Sequence, residues 1–219
     1  MSEGKKEILL GDCLELMKDI PNGSIDMILC DLPYGTTACK WDTIIPFDKL
    51  WEQYERIIKP NGAIVLFGSE PFSSALRMSN IKNYKYDWIW YKSKPSGISL
   101  AKYQPMRNHE NISVFYGGKY YPIKEPRDGF TNGSIERLKT ANTIRYKNYT
   151  SEHNGLNETE FKNVDKLRMP TSVKKFASIP NRKGTLHPTQ KPIELFEYLI
   201  KTYTNENELV LDNTAGSGT

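Results

Sequence analysis

The 219-residue chain is predicted to adopt an α/β fold, with a mostly parallel sheet covered by helices on both faces. Two observations lead to this class. Short apolar runs of strand length alternate with stretches whose apolar residues recur at helical spacing. Each buried run also stops abruptly at a turn rich in Asp, Asn, Gly or Pro, and this marks strands joined through helices rather than a single helical bundle.

Taken in order, Ile8-Leu9-Leu10 reads as a first strand ending at Gly11-Asp12. Leu14, Leu16, Met17 and Ile20 mark a helical face closed by Pro21-Asn22-Gly23. Residues 25–30, IDMILC, form a strand buried on both sides, and Asp31-Leu32-Pro33-Tyr34-Gly35 ends it. Leu50, Trp51, Tyr54, Ile57 and Ile58 predict a helix over 47–58, and the turn 59–62 releases the strand 63–67, AIVLF. Two aromatic-rich runs, 86–91 and 111–116, suggest an antiparallel pair at the end of the sheet. From about 123 to 185 the periodicity gives way to Asn, Thr, Lys and Gly, a length of loop that is usually functional or disordered. Order returns at 187–192, HPTQKP, followed by a helix over 192–203 and a strand over 208–212 that runs into Gly216-Ser217-Gly218.

Composition narrows the function classes. The length fits one domain or a core with an inserted lobe. Cys13, Cys30 and Cys39 form no Cys-x-x-Cys pair, so neither a disulfide framework nor a metal site is expected. No apolar stretch suits a signal peptide or a membrane span, and a cytoplasmic protein is expected. The net charge of +4 is unevenly spread. Residues 124–185 hold thirteen Lys/Arg against seven Asp/Glu, which suits an anionic partner such as nucleic acid. A solvated lysine-rich loop would give the same count.

Three motifs carry chemistry. Asp31-Leu32-Pro33-Tyr34 stands just past the carboxyl end of a buried strand, where open α/β sheets place their ligands. A planar exocyclic amine is a poor nucleophile because its lone pair is delocalised into the ring. The Asp31 carboxylate and the Leu32 carbonyl could accept its two N–H groups and free that lone pair, while Tyr34 stacks on the base and Pro33 holds the backbone rigid. Asp212 with Gly216, Ser217 and Gly218 has the make-up of a turn that brings backbone close to a ligand. At 187–192, Pro192 can open a helix, leaving Thr189, Gln190 and Lys191 at its mouth, with Lys191 able to pair with a ligand carboxylate and His187 able to donate nearby.

In this order the motifs resemble the β-group amino-methyltransferases of DNA, a phage or bacterial family of N6-adenine and N4-cytosine methylases. The resemblance runs from Ile8 to Thr219 and is weak across 124–185. It implies a Rossmann-like S-adenosylmethionine-dependent methyltransferase fold, a seven-stranded sheet in spatial order 3-2-1-4-5-7-6 with helices on both faces. It also implies a catalytic part over 1–123, a target-recognition insert over 124–185 and a cofactor-binding part over 186–219. Asp31, Leu32, Pro33 and Tyr34 fall on the catalytic motif, with Leu32 in place of the usual proline. Asp12, Cys13, Asp31, His187, Thr189, Gln190, Lys191, Asp212, Gly216, Ser217 and Gly218 fall on S-adenosylmethionine-binding positions, and Asp12 is the implied acceptor for the cofactor adenine. Thr214 stands where many relatives carry phenylalanine, and His109-Glu110, which also matches a family pattern, is assigned to structure.

The implied reaction is in-line transfer of a sulfonium methyl to N6 of an adenine flipped out of double-stranded DNA, with no metal, no membrane and no nucleophilic cysteine. Arg145, Lys147, Lys174, Lys175, Arg182 and Lys183 are the candidate DNA contacts. A homodimer and a restriction endonuclease partner are both compatible with the resemblance. Cytosine N4 methylation, and a truncated DNA-binding protein without activity, stand as alternatives. The family's strand 2, with the acidic residue at its end, is missing after the glycine turn, so a longer natural protein cut short is expected.

Overall fold

The computed structural model describes residues 6–36, 42–126, 144–145, 160–161, 167–178 and 190–216, and of 144–145 and 160–161 the backbone alone. Two compact units result, residues 1–121 with 171–219, and residues 122–170.

The first unit is the α/β core. Helix α1 (Cys13–Met17) starts where the Asp12 carboxylate caps it by accepting from the Leu14 and Glu15 amides. Strand β1 (Ile25–Cys30) is buried along its whole length, as an apolar run between two helical layers must be. Helix α2 (Phe47–Ile57) turns Leu50, Trp51, Tyr54 and Ile57 inward at helical spacing. Strand β2 (Ile58–Gly68) follows, then α3 (Phe72–Ser79), which the patterning of the sequence did not single out. Strands β3 (Tyr84–Ser96) and β4 (Arg107–Tyr116) form the expected antiparallel pair. In the second unit β5 (Glu125–Pro126) pairs antiparallel with β8 (Leu167–Arg168), and β6 (Ile144–Arg145) with β7 (Glu160–Phe161). Back in the core, β9 (Val173–Phe176) precedes helix α4 (Ile193–Tyr203) and strand β10 (Val210–Leu211).

The core sheet runs β10-β1-β2-β4-β3-β9. β10, β1 and β2 are mutually parallel, β4 is antiparallel to both of its neighbours, and β9 is parallel to β3. Side chains alternate between two faces. Ile28, Cys30, Ile64, Leu66 and Phe115 pack with α1, α2 and α3. Met27, Leu29, Val65, Phe67, Trp88, Trp90, Ile112 and Val114 pack with α4, where Phe67 stacks on Phe196 at 5.3 Å.

The order β10-β1-β2-β4-β3 reproduces the expected 1-4-5-7-6 part of the sheet. Three expectations need correction. Residues 8–10 form no strand and lie in solvent, with Ile8 90% and Leu10 101% exposed. A strand needs a neighbour, and the one expected between them and β10 is not among the described residues. The strand expected over 208–212 contracts to Val210–Leu211. The β3–β4 pair is not terminal, because β9 extends the sheet along β3. For the same reason Val173–Phe176 belongs to the core sheet.

One buried carboxylate joins β1 to its parallel neighbour. Asp26 accepts from Lys59 Nζ at 2.7 Å and from the Leu209 amide at 3.0 Å, with Lys119 Nζ at 3.6 Å. Burial acts to raise its pKa, but the Lys59 ammonium and the Leu209 N–H outweigh it and hold the carboxyl below its ordinary 3.8. The stability so gained is complete above the unfolded-state pKa and is lost as pH falls through the lower folded-state pKa. Asp26→Asn is expected to cost about 1–3 kcal/mol at neutral pH. It should also flatten the loss of stability below about pH 4, and urea denaturation over a pH series measures both effects.

Candidate active site

The carboxyl ends of β1, β2 and β10 open at one edge of the sheet, and β4, running the other way, brings its amino end there. Open α/β sheets bind ligands at such an edge. Asp31 directly follows β1. Its Oδ1 accepts the Tyr34 hydroxyl at 2.6 Å, and its Oδ2 accepts Lys191 Nζ at 2.5 Å. Lys191 stands just before α4, whose N-cap is Pro192 rather than the first helical residue expected from the sequence. Its ammonium is 5.8 Å from the Tyr34 ring centre and 5.5 Å from that of Phe67, and only 7% of the residue is exposed.

Glu110 completes the cluster, and the motif reading had placed it among structural residues. Its Oε2 lies 3.5 Å from Lys191 Nζ, and its Oε1 forms an ion pair with Lys92. Strand alternation explains the convergence. Ile112 and Val114 of β4 pack on the α4 face, so Glu110, two residues earlier, points to that same side. The same period in residues 110–114, ENISV, is the signal that could have found it. Burial acts to lower the pKa of Lys191, but the Asp31 and Glu110 carboxylates outweigh it and the pKa is raised, keeping the ammonium charged. Burial, with the Asp31 and Glu110 charges, pushes the Tyr34 phenol well up.

The turn after β10 docks on the same motif. The Thr214 hydroxyl donates to the Asp31 backbone carbonyl at 3.2 Å, while its amide donates to Asp212 Oδ1 at 2.9 Å. Thr214 therefore makes a polar tie between the two turns. Asn213 Oδ1 accepts from the Cys30 thiol at 2.8 Å and from the Tyr54 hydroxyl at 2.6 Å. Asp42, another residue missed from sequence, accepts from the Gly35 and Thr36 amides, each at 2.9 Å, and so holds the loop past Tyr34. Gly35 has φ +67, and a side chain there would press on Ile44.

Thus Asp31, Tyr34, Lys191 and the Asp212 turn are brought together, with Leu32 buried beneath them, Pro33 and Gln190 half-buried, and Gly216 at φ +54. Asp12 and Cys13 sit at the start of α1, where Asp12 is occupied as a cap and Cys13 packs on the core. His187, Thr189, Ser217 and Gly218 lie outside the described residues. So do Lys147, Arg182, Lys183 and the side chain of Arg145.

Of the candidate DNA contacts, Lys175 is exposed on β9, but Lys174 turns inward. Its ammonium lies 5.4 Å from the Trp88 ring centre and 5.3 Å from that of Tyr198. Burial among these rings lowers its pKa. Alternation along β9 accounts for the difference between the two lysines.

A family model described as DNA methylase matches residues 25–219. The chain belongs to the DNA methylase family. Among curated relatives of this methylase, the Type II methyltransferase M.HpaI of Haemophilus parainfluenzae is 28% identical over 98% of this chain and 65% of its own length. The present chain thus spans a little under two thirds of that relative. The DNA adenine methyltransferase YhdJ of Escherichia coli (strain K12) is 29% identical, over 98% of this chain and 72% of its own. In structure, the M1.HpyAVI–SAM complex shares the fold with TM-score 0.51 at 21% identity, covering 94% of this chain and 84% of its own. The methylase core is therefore the Rossmann-like methyltransferase fold expected from the sequence.

Cys30 is fully buried, and burial, with the nearby Asp212 charge, pushes its thiol well above the ordinary range. In the native protein Cys30 is expected to resist iodoacetamide at pH 8 while Cys13, half-buried on α1, is modified before it. Peptide mass spectrometry after timed alkylation measures the order.

Proposed function

We propose that this methylase transfers a methyl group from S-adenosylmethionine to the exocyclic N6 of an adenine flipped out of double-stranded DNA. The observation that carries the reading is Asp31, a carboxylate at the ligand edge of the sheet whose two oxygens both bind hydrogen-bond donors. With the Leu32 carbonyl beside it, Asp31 can accept the N–H groups of an amine and leave the nitrogen lone pair free. Asp31 acts as an orienting acceptor, and catalysis is mainly positioning and electrostatics. Tyr34 supplies a ring for the flipped base, worth roughly 1–3 kcal/mol per stacked base.

The residues fit a cationic cofactor. Burial raises the Asp212 pKa and the Asp31 charge adds to it, so a positive ligand beside the two carboxylates relieves both. The left-handed backbone at Gly216 suits close approach to a ligand. Asp212, Gly216, Gln190 and Lys191 would hold S-adenosylmethionine, with Asp12 and Cys13 toward its adenine and His187, Thr189, Ser217 and Gly218 from the same motifs. When bound it supplies an electrophilic methyl on a sulfonium.

Aspartate at position 31, where the family's cytosine enzymes usually carry serine, supports adenine, as does similarity to a relative named as an adenine methyltransferase. We assign the DNA-tracking role to the basic segment 124–185, with the unit 122–170 at its centre and Lys175 on β9.

A tritiated-methyl transfer assay on unmethylated bacterial DNA, with nucleoside analysis, tests the reading. Label in N6-methyladenine, reduced by at least roughly a hundredfold in Asp31→Ala, is the expected result. Label in N4-methylcytosine would overturn the adenine assignment, and no label with added S-adenosylmethionine would overturn the activity of this chain.

A further inference from the structure

Both oxygens of Asp31 are engaged by the chain itself, Oδ1 by the Tyr34 hydroxyl and Oδ2 by the Lys191 ammonium. An amine arriving at Oδ2 meets a group of its own kind, a nitrogen with N–H bonds already seated on the acceptor. Each oxygen keeps a second lone pair, but an amine that takes the one the lysine holds must displace it, and there the lysine must yield. With 7% of the residue exposed, its ammonium has no ready route to water and needs a second buried anion.

The anion is in place. Glu110 Oε2 lies 3.5 Å from Lys191 Nζ, near enough for ionic attraction and too long for a strong hydrogen bond. That oxygen is buried and accepts no hydrogen bond among the described residues. The other oxygen is held by Lys92, so the carboxylate is fixed with its vacant side toward Lys191. A movement of roughly 0.7 Å brings the ammonium to the charge-assisted distance of about 2.8 Å from Oε2, well within the reach of a flexible four-carbon stem. It lengthens the bond to Asp31 Oδ2 to at most about 3.2 Å, so the main bond passes from one carboxylate to the other.

We propose that Lys191 has two seats, Asp31 before the target amine enters and Glu110 once the amine has taken Asp31. Glu110 is the positioning residue that makes the exchange possible. This rests on Asp31 as the amine acceptor. No covalent bond is made or broken in the exchange and no proton changes owner, because a carboxylate faces the ammonium in either seat. Resting protein thus carries an occupied amine site, and the ammonium stays within the cluster while the target binds.

Two experiments test the proposal. In crystals of the full chain carrying Asp31→Asn, Lys191 Nζ is expected on Glu110 Oε2 at about 2.8 Å. An ammonium that keeps its place over position 31, or turns to solvent, overturns the proposal without any assay of activity. In methyl transfer to bacterial DNA, Glu110→Gln is expected to lower kcat roughly 10- to 100-fold, and Glu110→Asp to recover most of the loss. A Glu110→Gln protein with unchanged kcat, or a Glu110→Asp protein no better than Glu110→Gln, overturns it. Wild-type protein that methylates no DNA sinks the functional reading instead, and the Asp31→Asn crystals still decide where the lysine sits.

Discussion

The ion pair between Lys191 and Asp31 constrains everything at the ligand edge of the sheet, because an ammonium removed from water is tolerated only among anions and aromatic faces. Asp31 follows β1, Lys191 precedes α4, Glu110 and Lys92 come from β4 and β3, and the two rings flanking the lysine belong to Tyr34 and to Phe67 of β2. Segments up to 160 residues apart are thereby fixed at one point. The charges alternate along the cluster from Asp31 through Lys191 and Glu110 to Lys92, so each buried charge has an opposite neighbour.

A second set of contacts keeps the edge in register from the other side. Asn213 receives the Cys30 thiol and the Tyr54 hydroxyl, and Thr214 reaches the Asp31 carbonyl, so the turn after β10 is bonded to the end of β1 at successive positions. At the opposite end of the same two strands, Asp26 receives the Leu209 amide. Strands β1 and β10 pair over only two positions, Met27 with Val210 and Ile28 with Leu211. Side-chain bonds at both ends thus reinforce a short parallel ladder, and the Asp31 charge is held close enough to raise the Asp212 pKa.

Much of this was legible in the sequence where the deciding physics is local. Residues 25–30 read as a buried strand because an apolar run between turns has few other uses, and α2 followed from the spacing of Leu50, Trp51, Tyr54 and Ile57. Asp31, Tyr34 and Lys191 were legible as motif residues, yet their mutual contact depends on the packing of α4 against the sheet. What stayed hidden depends on partners distant in sequence. Ile8–Leu10 has strand-forming residues but no neighbouring edge among the described residues, and Lys174 looked like a surface cation because Trp88 and Tyr198, the rings that receive it, lie on other elements. Glu110 was hidden for a related reason, since its inward direction follows from the pleat of β4 and its importance from a lysine 81 residues further on.

The reversed direction of β4 has a further consequence for how such a protein can diversify. Since β3 arrives at the ligand edge and β4 departs from it, their connection, residues 97–106, stands on the same rim as Asp31. It holds Ile98, Leu100, Tyr103 and Met106 exposed to solvent. Insertions or exchanges in this hairpin would reshape the rim while leaving the ladder between Tyr84–Tyr91 and His109–Phe115 intact. Inherited variation is therefore best tolerated in a loop beside the chemistry. A one-residue change of length inside β4 itself would turn Glu110 to the other face and scatter the charge cluster.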